Sequence, residues 1–216
     1  METNLLDGMF MTLAVPRRLP KSEATIAAIL KAAARLFVER SYAEVTMNDI
    51  AAAARLTKGA VYHHFESKEQ VYVAMLHFEL VEQGQRFASA LDSGTTCRES
   101  LRNLVSYFLL LSPGERKVMS LLRRDINLFT DPVRSQLIRA YQKALPQRVE
   151  HTLAAGITRG ELKHHDARLL SWQFVALVEV MLNDYARGLF SPETQVDYVM
   201  ELFFCGVSAR RGDCHD

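Results

Sequence analysis

Thr46-Met47-Asn48-Asp49-Ile50-Ala51-Ala52-Ala53-Ala54-Arg55-Leu56-Thr57-Lys58-Gly59-Ala60-Val61-Tyr62-His63-His64-Phe65-Glu66-Ser67-Lys68 is the stretch whose spacing decides the fold. Thr46 can cap a short helix over roughly Met47 to Ala54, with Asp49 in its positive first turn. Thr57 can cap a second from Lys58 to about Phe65. Two short helices about three residues apart form a helix-turn-helix. Ile50, Ala54, Leu56, Val61 and Phe65 are spaced to build one small core between them, and Ala51 is small enough for the axes to approach closely.

Upstream, Ser22 and Glu23 open a stretch in which Ile26, Ile29, Leu30, Ala33, Leu36 and Phe37 recur at steps of three and four, predicting an amphipathic helix ending near Arg40. Downstream, Ser67 caps a longer helix whose apolar positions Val71, Met75, Phe78 and Leu80 run toward Leu91. Asp92-Ser93-Gly94-Thr95-Thr96 is a turn cluster, and further helices are predicted at roughly 97–111, 114–128, 132–157, 165–189 and 193–208. The breaks fall at residues that stop or start helices, such as Ser112-Pro113-Gly114 and Ser191-Pro192. With 49% apolar residues in 216 and only six prolines and ten glycines, the class is all-α. The expected division is a flexible basic arm at 1–20, a three-helix domain at 21–67, a larger helical domain at 68–210, and a tail at 211–216.

Charge is unevenly distributed. Of 26 basic and 25 acidic residues, nine and five lie between Arg17 and Lys68, so the amino-terminal part is net positive and the rest net negative. Cys97, Cys205 and Cys214 are too few and too scattered for a disulfide framework, which suits a reducing, cytoplasmic location. No stretch approaches the ~18 uninterrupted apolar residues of a membrane span, and Met9 to Val15 lacks the basic flank of a secretory signal.

The outer face of the second short helix offers Thr57, Lys58, Gly59, Ala60, Tyr62 and His63. Thr57 and the free N–H groups of a helix start suit a phosphate oxygen, as does Thr46 at the preceding helix. Lys58 can reach a phosphate or a guanine edge, while Tyr62 and His63 can donate to phosphates or pack on thymine methyls. Gly59 and Ala60 let the backbone come close. Lys68 is placed to pin the opposite DNA backbone, Arg17 and Arg18 form a basic clip on the arm, and His64 faces the core.

Thr-x-x-x-Ile-Ala-x-x-Ala from Thr46, followed by Lys-Gly-Ala-Val-Tyr-His-His-Phe-x-Ser-Lys-Glu from Lys58, resembles the DNA-binding signature of TetR-family transcriptional regulators over roughly residues 22 to 76. The resemblance implies that 21–67 is a helix-turn-helix DNA-binding domain and 68–210 a ligand-binding and dimerisation domain, with a homodimer through the last two long helices, a palindromic operator, and release from DNA by a small effector; it implies neither an enzyme nor a cofactor. One position departs from the family pattern: Arg55 stands where the family has glycine between the short helices. That turn tends to need a positive φ, which costs a non-glycine residue on the order of 1 kcal/mol. The expectation is tolerated strain with DNA binding retained.

Beyond residue 92 the aromatic and apolar side chains Tyr107, Phe108, Met119, Trp172 and Phe174 can line a ligand cavity or serve as core. Polar groups within apolar runs discriminate better, because burial without a partner is costly; Arg123, Asn127, Gln173, Glu179, Asn183 and Asp184 are therefore ligand candidates. Glu179 can receive a cationic or hydroxylated ligand, or pair with an arginine across a dimer. Val178, Met181, Leu182, Val199 and Phe203 form stripes suited to a four-helix interface between subunits. His151, His164 and His165 have no completing ligand set, so no metal site is expected. An acid–base enzyme using His151, Glu161, His164 or Glu179 is the rival reading, and it leaves the basic helix-turn-helix unexplained.

Overall fold

The computed structural model describes residues 21–207; the expected basic arm with Arg17 and Arg18, and the tail, lie outside the described residues. The elements are α1 (Lys21–Glu39), α2 (Met47–Ala53), α3 (Lys58–His64), α4 (Lys68–Asp92), α5 (Cys97–Leu110) and α6 (Pro113–Asp125), then a 3-10 turn (Ile126–Leu128). After it come α7 (Val133–Ala144), α8 (Pro146–Thr158), α9 (Ala167–Val180), α10 (Asp184–Leu189) and α11 (Pro192–Val207).

Capping fixes most of the starts. Thr46, Thr57 and Ser67 accept from the backbone N–H three residues on, at α2, α3 and α4 as their positions predict. Thr96 with Glu99 and Ser112 with Glu115 add reciprocal capping boxes to α5 and α6. Two predicted long helices are broken. Pro146 sits at the first position of α8, where its missing N–H ends the run that began at Val133. Asn183 caps α10 by accepting from Ala186 N–H at 2.8 Å, which separates α10 from α9.

Among the described residues the apolar side chains form two cores. The first gathers Ile29, Phe37, Ile50, Val61 and Phe65 of the amino-terminal helices with Val71, Tyr72 and Met75 of α4, and it continues onto Leu121, Leu122, Phe129 and Leu137. It therefore crosses the expected boundary near residue 67. The second holds Phe87 and Leu91 of α4 with α5, α8, α9 and α11. α4, about 37 Å long at 1.5 Å per residue, contributes to both. Within the first core Tyr72 meets Phe37 edge-on at 4.5 Å, Tyr42 at 5.0 Å and Phe129 at 5.7 Å between ring centroids.

Candidate nucleic-acid interface and cavity

α2 and α3 cross over the side chains predicted to join them. Ile50 and Val61 are fully buried, with Ala51 and Phe65 close to it. The connection bonds Arg55 N–H to Ala52 O at 3.1 Å and Leu56 N–H to Ala51 O at 2.9 Å. Arg55 adopts a φ of 58°, the left-handed conformation its place demanded, with its side chain exposed.

With Val61 and Phe65 committed to the core, α3 turns Lys58, Gly59, Tyr62 and His63 outward. The Lys58 ammonium lies 5.6 Å from the centre of the Tyr62 ring, so a cation and an aromatic are presented together. Around Gly59 a Cβ would meet nothing within 4 Å, leaving the backbone open to an approaching surface. Thr57 Oγ1 accepts from Ala60 N–H at 3.2 Å, and Thr46 exchanges bonds with Asp49; both hydroxyls stay exposed at helix starts. Lys68 behaves otherwise than expected. Its ammonium donates to the Tyr42 carbonyl at 2.8 Å and lies 4.5 Å over the Tyr42 ring, so it ties α4 to the loop after α1 instead of reaching outward.

Below this unit lies a cavity of about 490 Å³ bounded by Phe108 of α5, by Pro113, Arg116, Lys117, Ser120 and Arg123 of α6, and by Ile138 and Tyr141 of α7. Leu122, Ile126, Glu179, Leu182 and Asp184 complete its wall. This size lies within the range of small-molecule sites. Arg123 pairs with Glu179 at 3.0 Å, and Tyr141 donates to the other Glu179 oxygen at 3.2 Å, linking α6, α7 and α9. Burial, then the Glu179 carboxylate, pushes the Tyr141 hydroxyl well above its ordinary range, so it remains a donor.

Four of the sequence-predicted ligand residues, Phe108, Arg123, Glu179 and Asp184, meet at the cavity. Tyr107 instead donates to Gln83 at 3.1 Å, Phe174 is fully buried in the second core, Trp172 is exposed, and Asn183 is spent as a cap. Met119 belongs to α6, but its side chain lies outside the described ones. Within the protomer Glu179 finds an arginine, Arg123. Sequence reasoning missed Arg116, Lys117, Ser120 and Tyr141, although steps of three and four on α6 align the first three with Pro113 and Arg123.

The expected interface residues Val178, Met181, Val199 and Phe203 are in the protomer's own core, at 3, 7, 1 and 5% exposure, and Leu182 lines the cavity. Periodicity tells which residues share a face, but α9 and α11 each have two apolar faces. The outward ones carry Leu169, Trp172 and Val180 on α9 and Tyr198 and Leu202 on α11, all exposed.

A capped helix-turn-helix on an amino-terminal three-helix unit, set upon a larger helical body with a small-molecule-sized cavity, is the architecture of a helix-turn-helix transcriptional regulator. Residues 29–75 match the family model described as "Bacterial regulatory proteins, tetR family", so the chain carries a DNA-binding domain of the tetR type. It is similar to the HTH-type transcriptional regulator TtgR of Pseudomonas putida, with 28% identity over 211 residues covering 91% of this chain and 100% of that protein. Among solved structures, NalD of Pseudomonas aeruginosa, described as the secondary repressor of the MexAB-OprM multidrug efflux pump, shares 26% identity at a TM-score of 0.65, covering 89% of this chain and 100% of its own. AibR, solved with isovaleryl coenzyme A and operator DNA, shares the fold at a TM-score of 0.66 with 24% identity, over 82% of this chain and 97% of its own.

Proposed function

We propose that the protein is a repressor that occupies a palindromic operator as a homodimer and is released by a small, largely apolar effector seated in the cavity. The observation that carries this is a shared helix: α6 supplies the cavity wall through Arg116, Ser120 and Arg123, while its Leu121 and Leu122 belong to the core that holds the helix-turn-helix. Widening the cavity therefore has a direct route to the orientation of α3. Thr46, Thr57, Lys58, Gly59, Ala60, Tyr62 and His63 are the residues proposed to meet DNA, Lys58 and Tyr62 foremost.

The dimer is proposed to form on the exposed apolar stripes of α9 and α11, Leu169, Trp172, Val180, Tyr198 and Leu202. A two-fold pairing there sets two copies of α3 for successive major grooves, about one helical turn apart. NalD, a repressor by its description, and AibR, crystallised with both an acyl thioester and an operator, support the same reading.

The test is binding to DNA from the promoter beside the protein's own gene across a salt series, for wild type and for the Lys58→Ala, Tyr62→Ala double variant. Tight binding that weakens steeply with salt and collapses in the variant is expected. Equal binding by both proteins at every salt concentration overturns the assignment of α3 as the reading helix. Sedimentation of wild type against Trp172→Glu checks the dimer face.

A further inference from the structure

We infer that the cavity takes an amphipathic anion: an apolar body with one carboxylate or phosphate head held by Arg116 and Lys117. This deepens the effector reading above and rests on it.

Pro113, Arg116, Lys117, Ser120 and Arg123 follow one another at helical steps along the wall given by α6, a polar edge about 15 Å long. Facing it, Phe108, Ile138 and Leu182 are apolar. The three cations of this edge are not equivalent. Arg123 is neutralised by Glu179 at 3.0 Å, and the second oxygen of that carboxylate accepts from Tyr141 at 3.2 Å. Both Glu179 oxygens are thus engaged within the protein, and an incoming ammonium group would have to break one of these bonds.

Arg116 and Lys117 stand differently. Arg116 donates to the Leu111 carbonyl, and among the described residues neither it nor Lys117 has an ion-pair partner. Burial and the like charge of Arg187 push the Arg116 guanidinium below its usual range, against a partial offset from Asp184. Asp184, the other acid of the lining, is exposed and can compensate one of the two positive charges. One net positive charge remains beside apolar surface. A carboxylate or phosphate there gains charge-assisted bonds from two donors, while its tail covers Phe108, Ile138 and Leu182.

The experiment measures binding of four probes of equal chain length to the full-length protein by calorimetry, below their micellar concentrations: dodecanoate, dodecyl phosphate, dodecanol and dodecyltrimethylammonium. The anions are expected to bind roughly tenfold tighter than the alcohol, and the ammonium weakest. The order of the two anions tells a carboxylate from a phosphate preference. In Arg116→Gln, Lys117→Gln the advantage of the anions over dodecanol is expected to vanish, and the alcohol arm reports whether the variant is folded. Binding of the ammonium or the alcohol as tight as that of the anions, binding by none of the four, or an anion advantage that survives in the variant overturns the inference. Addition of the anions to the wild-type operator complex separates the two readings. An anion that binds the protein yet leaves the complex intact counts against the effector reading and not against the chemistry of the cavity.

Discussion

The phenol of Tyr72, buried at the start of α4, donates a hydrogen bond to the buried carboxylate of Asp125 at the end of α6. Residues that flank Asp125 in the sequence, Leu122, Arg123 and Ile126, line the cavity, while Tyr72 packs against Phe37 and Tyr42 beneath the helix-turn-helix. Arg124 closes the set with two bonds of 2.7 Å to the same carboxylate. One polar contact thus sits between the proposed effector site and the DNA-binding unit.

Replacing Tyr72 with Phe removes one of the donors to the buried Asp125 carboxylate and leaves the two from Arg124. A destabilisation of about 1–3 kcal/mol is expected in urea unfolding. On the regulatory reading, the same variant binds an effector as wild type does, yet shows a smaller effector-induced loss of operator affinity. A full-sized loss would show that the signal bypasses this contact.

Acid should expose the same pair. Burial alone would raise the Asp125 carboxyl, but the bonds from Arg124 and Tyr72 outweigh it and hold the group below its ordinary value. Its folded value is thus lower than its unfolded one of about 3.9. The stability it contributes is complete above that pH and is lost as pH falls through the depressed value. Unfolding free energy measured from about pH 5 down to pH 2 should fall less steeply in Asp125→Asn than in wild type.

Arg55→Gly should stabilise the protein. At a φ of 58° glycine is unstrained, and the exposed arginine side chain has little packing to lose. A gain of roughly 0.5–1 kcal/mol is expected, reduced by the freedom glycine adds to the unfolded chain. A lower midpoint in urea would mean that the Arg55 side chain contributes a contact worth more than the strain.

Lys68→Ala is expected to cost about 1–2 kcal/mol of stability, through the lost carbonyl bond and the contact with the Tyr42 ring. The salt dependence of operator binding should stay as in wild type. A phosphate-neutralising lysine would instead take about 0.9 from the slope of log affinity against log salt, and such a change would return Lys68 to the DNA interface.

Gly156→Ala should destabilise the second core. A Cβ on Gly156 would lie 2.7 Å from Cys97 Cβ and 2.9 Å from its Sγ, and a short side chain at 0% exposure has nowhere to move. A cost of about 1–3 kcal/mol is expected. The same packing, with the Glu161 carboxylate nearby, pushes the Cys97 thiol up to about 12. In a Cys205→Ser, Cys214→Ser background, thiol reagent at pH 8 should therefore label Cys97 only on unfolding, and in Gly156→Ala it should do so sooner.

Local chemistry carried the amino-terminal part. The caps Thr46, Thr57 and Ser67, the alternation of Ile50, Val61 and Phe65 with Lys58, Tyr62 and His63, and the positive φ required of Arg55 all depend on neighbours within a few residues, so the sequence alone determined them. The same locality made the all-helical class and most breaks legible, although Pro146 and Asn183 acted where a longer helix was expected. Tertiary structure decided what periodicity cannot express. An amphipathic pattern names a face without naming what covers it, so Val178, Met181, Val199 and Phe203 turned inward while Leu169, Trp172 and Tyr198 turned out. Likewise the cavity, the Arg123–Glu179 pair and the Tyr72–Asp125 bond join residues 56 and 53 positions apart, and only the packing of α4, α6, α7 and α9 brings such side chains within bonding distance.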